Sequence, residues 1–330
     1  MSSIQKLTDR ESMAINIMKA IAILSVLAAH TISVSHADLL SNVVSSVWSL
    51  FGRVGVIIFF VVSGFLYSRS PQDRKIFWKK KCFRILIPWA FCASATYALA
   101  VVLGRELSPM GYLQWVFGSG TWYYYLTIYT LFLFIFPWFW KKDWLLLIWI
   151  GVQTLSLALA SFEDFTAHFP FWATYLNPLQ WIGYFSLGIL IRRHRLDIRL
   201  RAKKWIVAIA AVLAILSLYL LYTFSIFTYF HIVSSVFCLC ALIVSAAIAY
   251  RAAACKLASY IGNIGIYSFC IYLLHMQIVQ GILAMVPDSI AKLLFAPWIA
   301  LGVMLALIYG GLFLCRKLPF GNKIKMLVGL

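Results

Sequence analysis

About ten stretches of this 330-residue chain run close to the length of a membrane span with hardly a charge inside them. They fall near residues 12–34, 46–68, 85–104, 119–140, 144–161, 177–191, 205–227, 229–250, 260–284 and 294–314. A hydrocarbon core about 30 Å thick takes roughly 20 apolar residues per helix, so each stretch is read as one crossing. Between them lie only short connections, which leaves no room for a soluble domain. The composition agrees: 63% of residues are hydrophobic and mean hydropathy is +0.91, against about 45–50% apolar in soluble domains. The expectation is an all-α polytopic membrane bundle of about ten transmembrane helices, forming a single transmembrane domain over residues 1–330. No small-residue cleavage site follows the first stretch, so it is expected to remain as a helix. The fifth and sixth stretches are short, with Pro137, Pro170 and Pro178 at their edges. No internal repeat is evident, which argues against a transporter assembled from inverted halves.

The connections set the orientation. Residues 68–84 carry Arg69, Arg74, Lys75, Lys79, Lys80, Lys81 and Arg84 against Asp73. Residues 192–204 carry Arg192, Arg193, Arg195, Arg199, Arg201, Lys203 and Lys204 against Asp197. The alternate connections hold Asp38, Glu106, Glu163, Asp164 and Asp288 with few basic residues. The excess of Lys and Arg marks the cytoplasmic side, which places both termini in the cytoplasm. The same distribution accounts for the net charge of +18 without nucleic acid, because the cations sit between apolar spans and not on a folded face. The seven cysteines lie in or beside the apolar stretches. None shows zinc-site spacing, so they read as small core residues and no metal is expected.

Ionisable groups inside spans cost a few kcal/mol or more and mark candidate sites. In INIMKAIAILSVLAAH, Lys19 and His30 are separated by three helical turns plus about 20°, so they share a face, about 16 Å apart along the axis. Asn16 lies one turn before Lys19 on the same side. Arg53 falls about 10 Å below the outer end of the second span, at the depth of His30. Ser63 and Gly64 fall near its inner end, where a small residue lets a chain or ligand approach closely. His275 occupies the outer half of the ninth span. Three ionisable groups on three helices therefore meet at one level. The competing structural readings are snorkelling for Lys19 and Arg53 and helix–helix hydrogen bonding for His275. His231 at an outer helix end reads as interfacial. The run Trp122-Tyr123-Tyr124-Tyr125 reads first as an aromatic belt, and second as a floor for a sugar.

Four stretches together resemble the acyltransferase family 3 membrane proteins, which move acyl groups onto cell-surface glycans. They are INIMKAIAILSVLAAH, GRVGVIIFFVVSGFLYS, KKKCFRILIPW and IGNIGIYSFCIYLLH. The first is similar to the family's helix with a basic residue before a histidine. The second resembles its arginine followed by FF-x-x-SGFL, the third its basic pair before Ile-x-x-Pro, and the fourth its late Tyr-Leu-x-His segment. The likeness spans about residues 12–315. Two positions depart from the family pattern: Asn16 and Lys19 stand where it has Asp-x-x-Arg, and Lys81 and Arg84 where it has Arg-x-x-Arg. Lysine keeps the charge but not the bidentate fork that arginine offers phosphate.

The resemblance implies a membrane O-acyltransferase of a bacterial inner membrane that uses acetyl-CoA as acyl donor. A cytoplasmic acyl-CoA would place its phosphates near Lys19, Lys81, Arg84 and Arg69, with Asn16 and Ser63 also in its binding site. Its thioester would lie beside His30 as catalytic base or nucleophile, with Arg53 or His275 stabilising the oxyanion. The implied acceptor is a hydroxyl of a surface polysaccharide or lipid-linked oligosaccharide on the far side. The alternative is a transporter or flippase for a small anion or lipid-linked sugar, which explains buried charge but not this pairing on one helix face.

Overall fold

The computed structural model describes residues 7–30, 39–67, 74–196, 203–226, 228–285, 290–318 and 321–329. Among them there is helix and no strand. In chain order the helices are α1 (Asp9–His30), α2 (Leu39–Tyr67), α3 (Arg74–Lys81), α4 (Ile87–Val102), α5 (Pro109–Phe117), α6 (Tyr124–Ile135), α7 (Asp143–Ala160), α8 (Glu163–His168), α9 (Ile182–His194), α10 (Lys204–Thr223), α11 (Ile232–Ala252), α12 (Ala258–Ile266), α13 (Ser268–Met285), α14 (Ile290–Lys317) and α15 (Gly321–Leu327). A π-helical turn, Cys82–Leu86, joins α3 to α4. Its cause is local. Pro88 has no N–H to return to the Arg84 carbonyl, and the Ile87 N–H reaches back instead to the Cys82 carbonyl.

Sequence-local signals explain where several helices begin. Thr8 and Glu11 form a reciprocal capping box at the start of α1, the Thr8 N–H donating to the Glu11 carboxylate and the Glu11 N–H to the Thr8 hydroxyl. Ser108 caps α5 through the Gly111 N–H, Pro109 follows, and Gly118 ends the helix in the left-handed region. His231, expected at an interface, accepts the Val233 N–H through Nδ1 and so caps α11. Burial pushes that imidazole's pKa down, in keeping with a ring nitrogen that must stay unprotonated to accept.

The centre of the bundle is α2, flanked by α1 and α9. Lipid tails are as apolar as leucine, so helices associate here by close packing and hydrogen bonds more than by solvent exclusion. The α2–α9 seam shows how: a Cβ on Gly64 would sit 2.0 Å from the Phe185 carbonyl oxygen, and one on Gly188 would sit 2.0 Å from that of Val61. Each helix gives up a side chain so that the other's backbone can approach. One contiguous core follows, with Phe60 stacked on Trp181 at 5.3 Å and against Tyr125 at 4.7 Å. Peripheral helices face outward with apolar side chains, as Leu147 and Leu155 of α7, Val212 and Ile215 of α10, and Leu307 and Phe313 of α14 show. A surface of that kind belongs against lipid.

Seven helices among the described residues are long and apolar enough to cross a membrane, and the pair α12–α13, bent by 70°, makes an eighth if it is one span. The chain is a multi-pass membrane protein. The expected fifth stretch is a full 18-residue helix, whereas the fourth starts only at Tyr124, because Gly118 and Gly120 take positive φ and hold residues 118–123 out of helix. The sixth is a 13-residue helix preceded by 3₁₀ turns at Pro170–Ala173 and Pro178–Gln180. At the basic end, Asp143 pairs with Arg193 and His194, and Glu11 with Arg195, which ties α7 and α1 to the end of α9.

Candidate active site

Two cavities open along α1, one toward each end. The first, of about 640 Å³, is lined by Lys19, Ser63, Arg84, Tyr125, Tyr129 and Tyr272 among others. The second, of about 910 Å³, is lined by His30, Arg53, Trp122, Tyr124, Tyr229 and also Tyr272. Both are large enough for a small-molecule ligand. Tyr272 is their common wall: its hydroxyl donates to the Trp122 carbonyl, and its ring lies 5.5 Å from Tyr125 on one side and 5.6 Å from His275 on the other. A third, almost wholly apolar cleft of about 120 Å³ has Glu11 as its one charged lining residue and supplies no comparable chemistry.

At the His30 end the structure assembles a histidine pair. The rings of His30 and His275 are 5.1 Å apart between centroids, and Trp122 meets His275 edge-on at 6.0 Å. His275 is fully buried, and its Nδ1 lies 2.7 Å from the Tyr272 carbonyl. A carbonyl only accepts, so Nδ1 carries the proton and Nε2 of the neutral ring presents a lone pair. That Nε2 is buried and has no hydrogen-bond partner among the described residues. A neutral His275 held this way offers an acceptor at Nε2, and donation to an oxyanion from that nitrogen calls for the doubly protonated ring.

Arg53 lines the same cavity but does not hang free within it. Its Nη1 donates to the carbonyls of Ile226 at 3.1 Å and Thr228 at 2.9 Å and reaches the Ser234 hydroxyl at 3.3 Å. The guanidinium thus ties the α10–α11 connection to α2, and its charge is fixed in the cavity wall. Its level relative to His30 is set by Ser25, whose hydroxyl donates to the Phe51 carbonyl at 2.5 Å and accepts from the Gly55 N–H at 2.8 Å. Those two groups lie four residues apart in the continuous helix α2, so the Ser25 hydroxyl bridges α1 to one turn of α2 around Arg53.

At the Lys19 end the character changes from imidazole to fixed cation. Lys19 and Arg84 line the cavity, and among the described residues no carboxylate does. Lys81 stands one bond back: its ammonium donates to the Tyr129 hydroxyl at 2.7 Å, so it acts on the cavity through that phenol. Ser63 shares a hydrogen bond of 3.1 Å with Tyr125. Asn16 is not on the lining but presses against the bend between α12 and α13, where a Cβ on Gly265 would lie 1.7 Å from its carbonyl oxygen. Arg69 lies outside the described residues.

A family model described as an acyltransferase domain, that of the acyltransferase 3 family, matches residues 13–316. The chain belongs to this family. No curated protein and no solved structure gives a match. Membership makes an acyltransferase activity the frame for both cavities, and the matched region contains every site residue named so far.

Several residues of the site escape sequence reasoning. Tyr123 and Tyr125 are buried inside the bundle, and Trp122 and Tyr124 face the second cavity, so the run is a cavity wall and not a lipid-facing belt. Helix α5, with Trp115, and residues 171–176 also reach into that cavity from connections that carry no signal beyond their aromatic content. Tyr272 heads the Tyr-Leu-x-His segment, but nothing in one sequence shows that it is shared between two cavities.

Proposed function

We propose that the protein is a membrane O-acyltransferase moving an acyl group, acetyl in the simplest case, from an acyl-CoA to a hydroxyl of a surface polysaccharide or lipid-linked glycan. The carrying observation is that one helix delivers Lys19 into a cation-lined cavity and His30 into a second cavity, with Tyr272 shared between them. The basic connections support a cytoplasmic Lys19 end with both termini on that side, and the proposed location is a bacterial inner membrane. Lys19 and Arg84 take the donor's phosphates, and Lys81 supports them through Tyr129. The arm of the donor spans the roughly 16 Å between Lys19 and His30.

His30 takes the proton of the acceptor hydroxyl as its oxygen bonds to the thioester carbon. The tetrahedral intermediate then breaks its C–S bond, and the imidazolium returns the proton to the leaving thiolate. Arg53, a positive charge held still by the carbonyls of residues 226 and 228, stabilises the oxyanion without reorganising. His275 holds His30 in position by packing its ring 5.1 Å away. The aromatic wall of the His30-end cavity receives the acceptor. His30→Ala in protein reconstituted with acyl-CoA and a lipid-linked glycan should abolish transfer, with a loss of about a hundredfold or more, while coenzyme A binding persists; full transfer by this variant would overturn the reading.

One observation favours a second reading. The broken pair α12–α13 beside a cavity is a feature of transporters, so a transporter of a small anion or lipid-linked sugar is the alternative. Such a protein would not bind or cleave acyl-CoA.

A further inference from the structure

The Lys19-end cavity is not closed by the family domain alone. Helix α15 and the turn after it, residues 321–329, follow the matched region and fold back against it. Gly321 packs where a Cβ would meet the Cys315 carbonyl at 1.7 Å, so the chain reverses tightly off α14. The Cys92 thiol of α4 donates to the Leu327 carbonyl at 3.8 Å, and Val328 packs on the main core. Gly329 has φ +78° and lies against Phe269 of α13, where a Cβ would come 2.7 Å from the ring. An L side chain there would be both strained and obstructed. Anchored at α4 and α13, the segment spans the gap between the π turn carrying Arg84 and the α12–α13 bend, and Met326 and Gly329 enter the cavity lining directly.

We infer that residues 321–329 complete the donor site, with Met326 and Gly329 contacting the coenzyme A portion of the acyl donor. This rests on the acyl-CoA reading of that cavity. A thioether suits the role, because an unbranched, polarizable side chain packs on an extended flexible ligand without demanding one geometry. A contact of this kind bears on donor affinity and leaves the acceptor side alone, since the segment lines only the Lys19-end cavity.

The test uses full-length protein in nanodiscs and coenzyme A itself as the probe. Met326→Trp, which fills the cavity, should weaken coenzyme A binding about tenfold or more, equivalent to roughly 1.4 kcal/mol. It should raise KM for acyl-CoA and leave KM for the acceptor and the thermal unfolding midpoint unchanged. Met326→Cys adds a readout that does not depend on occlusion: modification at residue 326 by a thiol reagent, followed by mass spectrometry, should be slowed by saturating coenzyme A. Wild-type binding with no effect of Met326→Trp and no protection of Met326→Cys would overturn the inference alone. Failure of the wild type to bind coenzyme A would overturn the acyl-CoA reading and this inference with it.

Discussion

Replacing Ser25 by alanine separates the stability of the bundle from the alignment of its site. The serine is fully buried, and its hydroxyl stands between the Phe51 carbonyl and the Gly55 N–H of α2. Without it, those two backbone groups keep each other as partners, four residues apart in the continuous helix α2. Leaving both unpaired costs about 1–3 kcal/mol each, a total of roughly 2–6 kcal/mol. The helical pairing avoids that cost, so what is lost is the bridge between α1 and α2 and the volume of one oxygen. The variant should therefore unfold within about 1 kcal/mol of wild type, in line with the weak average of hydrogen bonds between membrane helices. Arg53 lies inside the turn that loses its bridge to α1 and shifts relative to His30. Displacements on the order of 1 Å cost about a hundredfold in rate, so acyl transfer in a single turnover should fall by about tenfold to a hundredfold. The assay pairs that rate with thermal unfolding in the same detergent. Ser25→Ala at the wild-type rate, or a rate loss fully accounted for by unfolded protein, would refute the alignment argument.

Lys81→Met and Tyr129→Phe each break the 2.7 Å bond between the two side chains, so their effects on coenzyme A affinity should be strongly non-additive in a double-mutant cycle; additive effects would show that Lys81 acts on the donor directly. Gly64→Val places a methyl-bearing carbon where the Phe185 carbonyl already stands, and should destabilise by more than about 4 kcal/mol, read as loss of folded protein on size-exclusion chromatography. His231 links stability to acid. Its pKa in the folded protein is depressed below the ordinary 6.5, so the unfolded chain takes up the proton first. Its contribution is complete above pH 6.5 and is lost as pH falls from there through the folded value. His231→Asn keeps a capping side chain and should flatten this part of the pH profile, whereas an unchanged profile would remove His231 as its source.

How much of this was legible in one sequence depended on the range of the interactions involved. Span positions were readable because apolar length is a local property, and the one-face pairing of Lys19 with His30 followed from helical rise and twist alone. The motif stretches named His275 and Arg53 as well. The shortened fourth segment was not readable, because it turns on positive φ at Gly118 and Gly120, and a glycine in an apolar run looks the same whether it bends the chain or packs within a helix. The same ambiguity covered Gly64, which opens α2 to another helix and not to a ligand.

The amino-acid order by itself determined an all-helical membrane protein of this family, with cations gathered on alternate connections and ionisable groups at two depths. Tertiary structure decided what those groups do. It turned Lys81 toward Tyr129, anchored Arg53 on the α10–α11 connection, set His275 against His30 with a bare nitrogen, and made Tyr272 common to both cavities. The physical reason is that the hydrogen bonds of Lys81 and Arg53 join residues far apart in the chain, 48 positions for Lys81 and Tyr129 and up to 181 for Arg53 and Ser234, and the His30–His275 ring contact joins α1 to α13. Local spacing carries no record of such partners, and a polar group buried in lipid takes whichever one the packed helices bring to it.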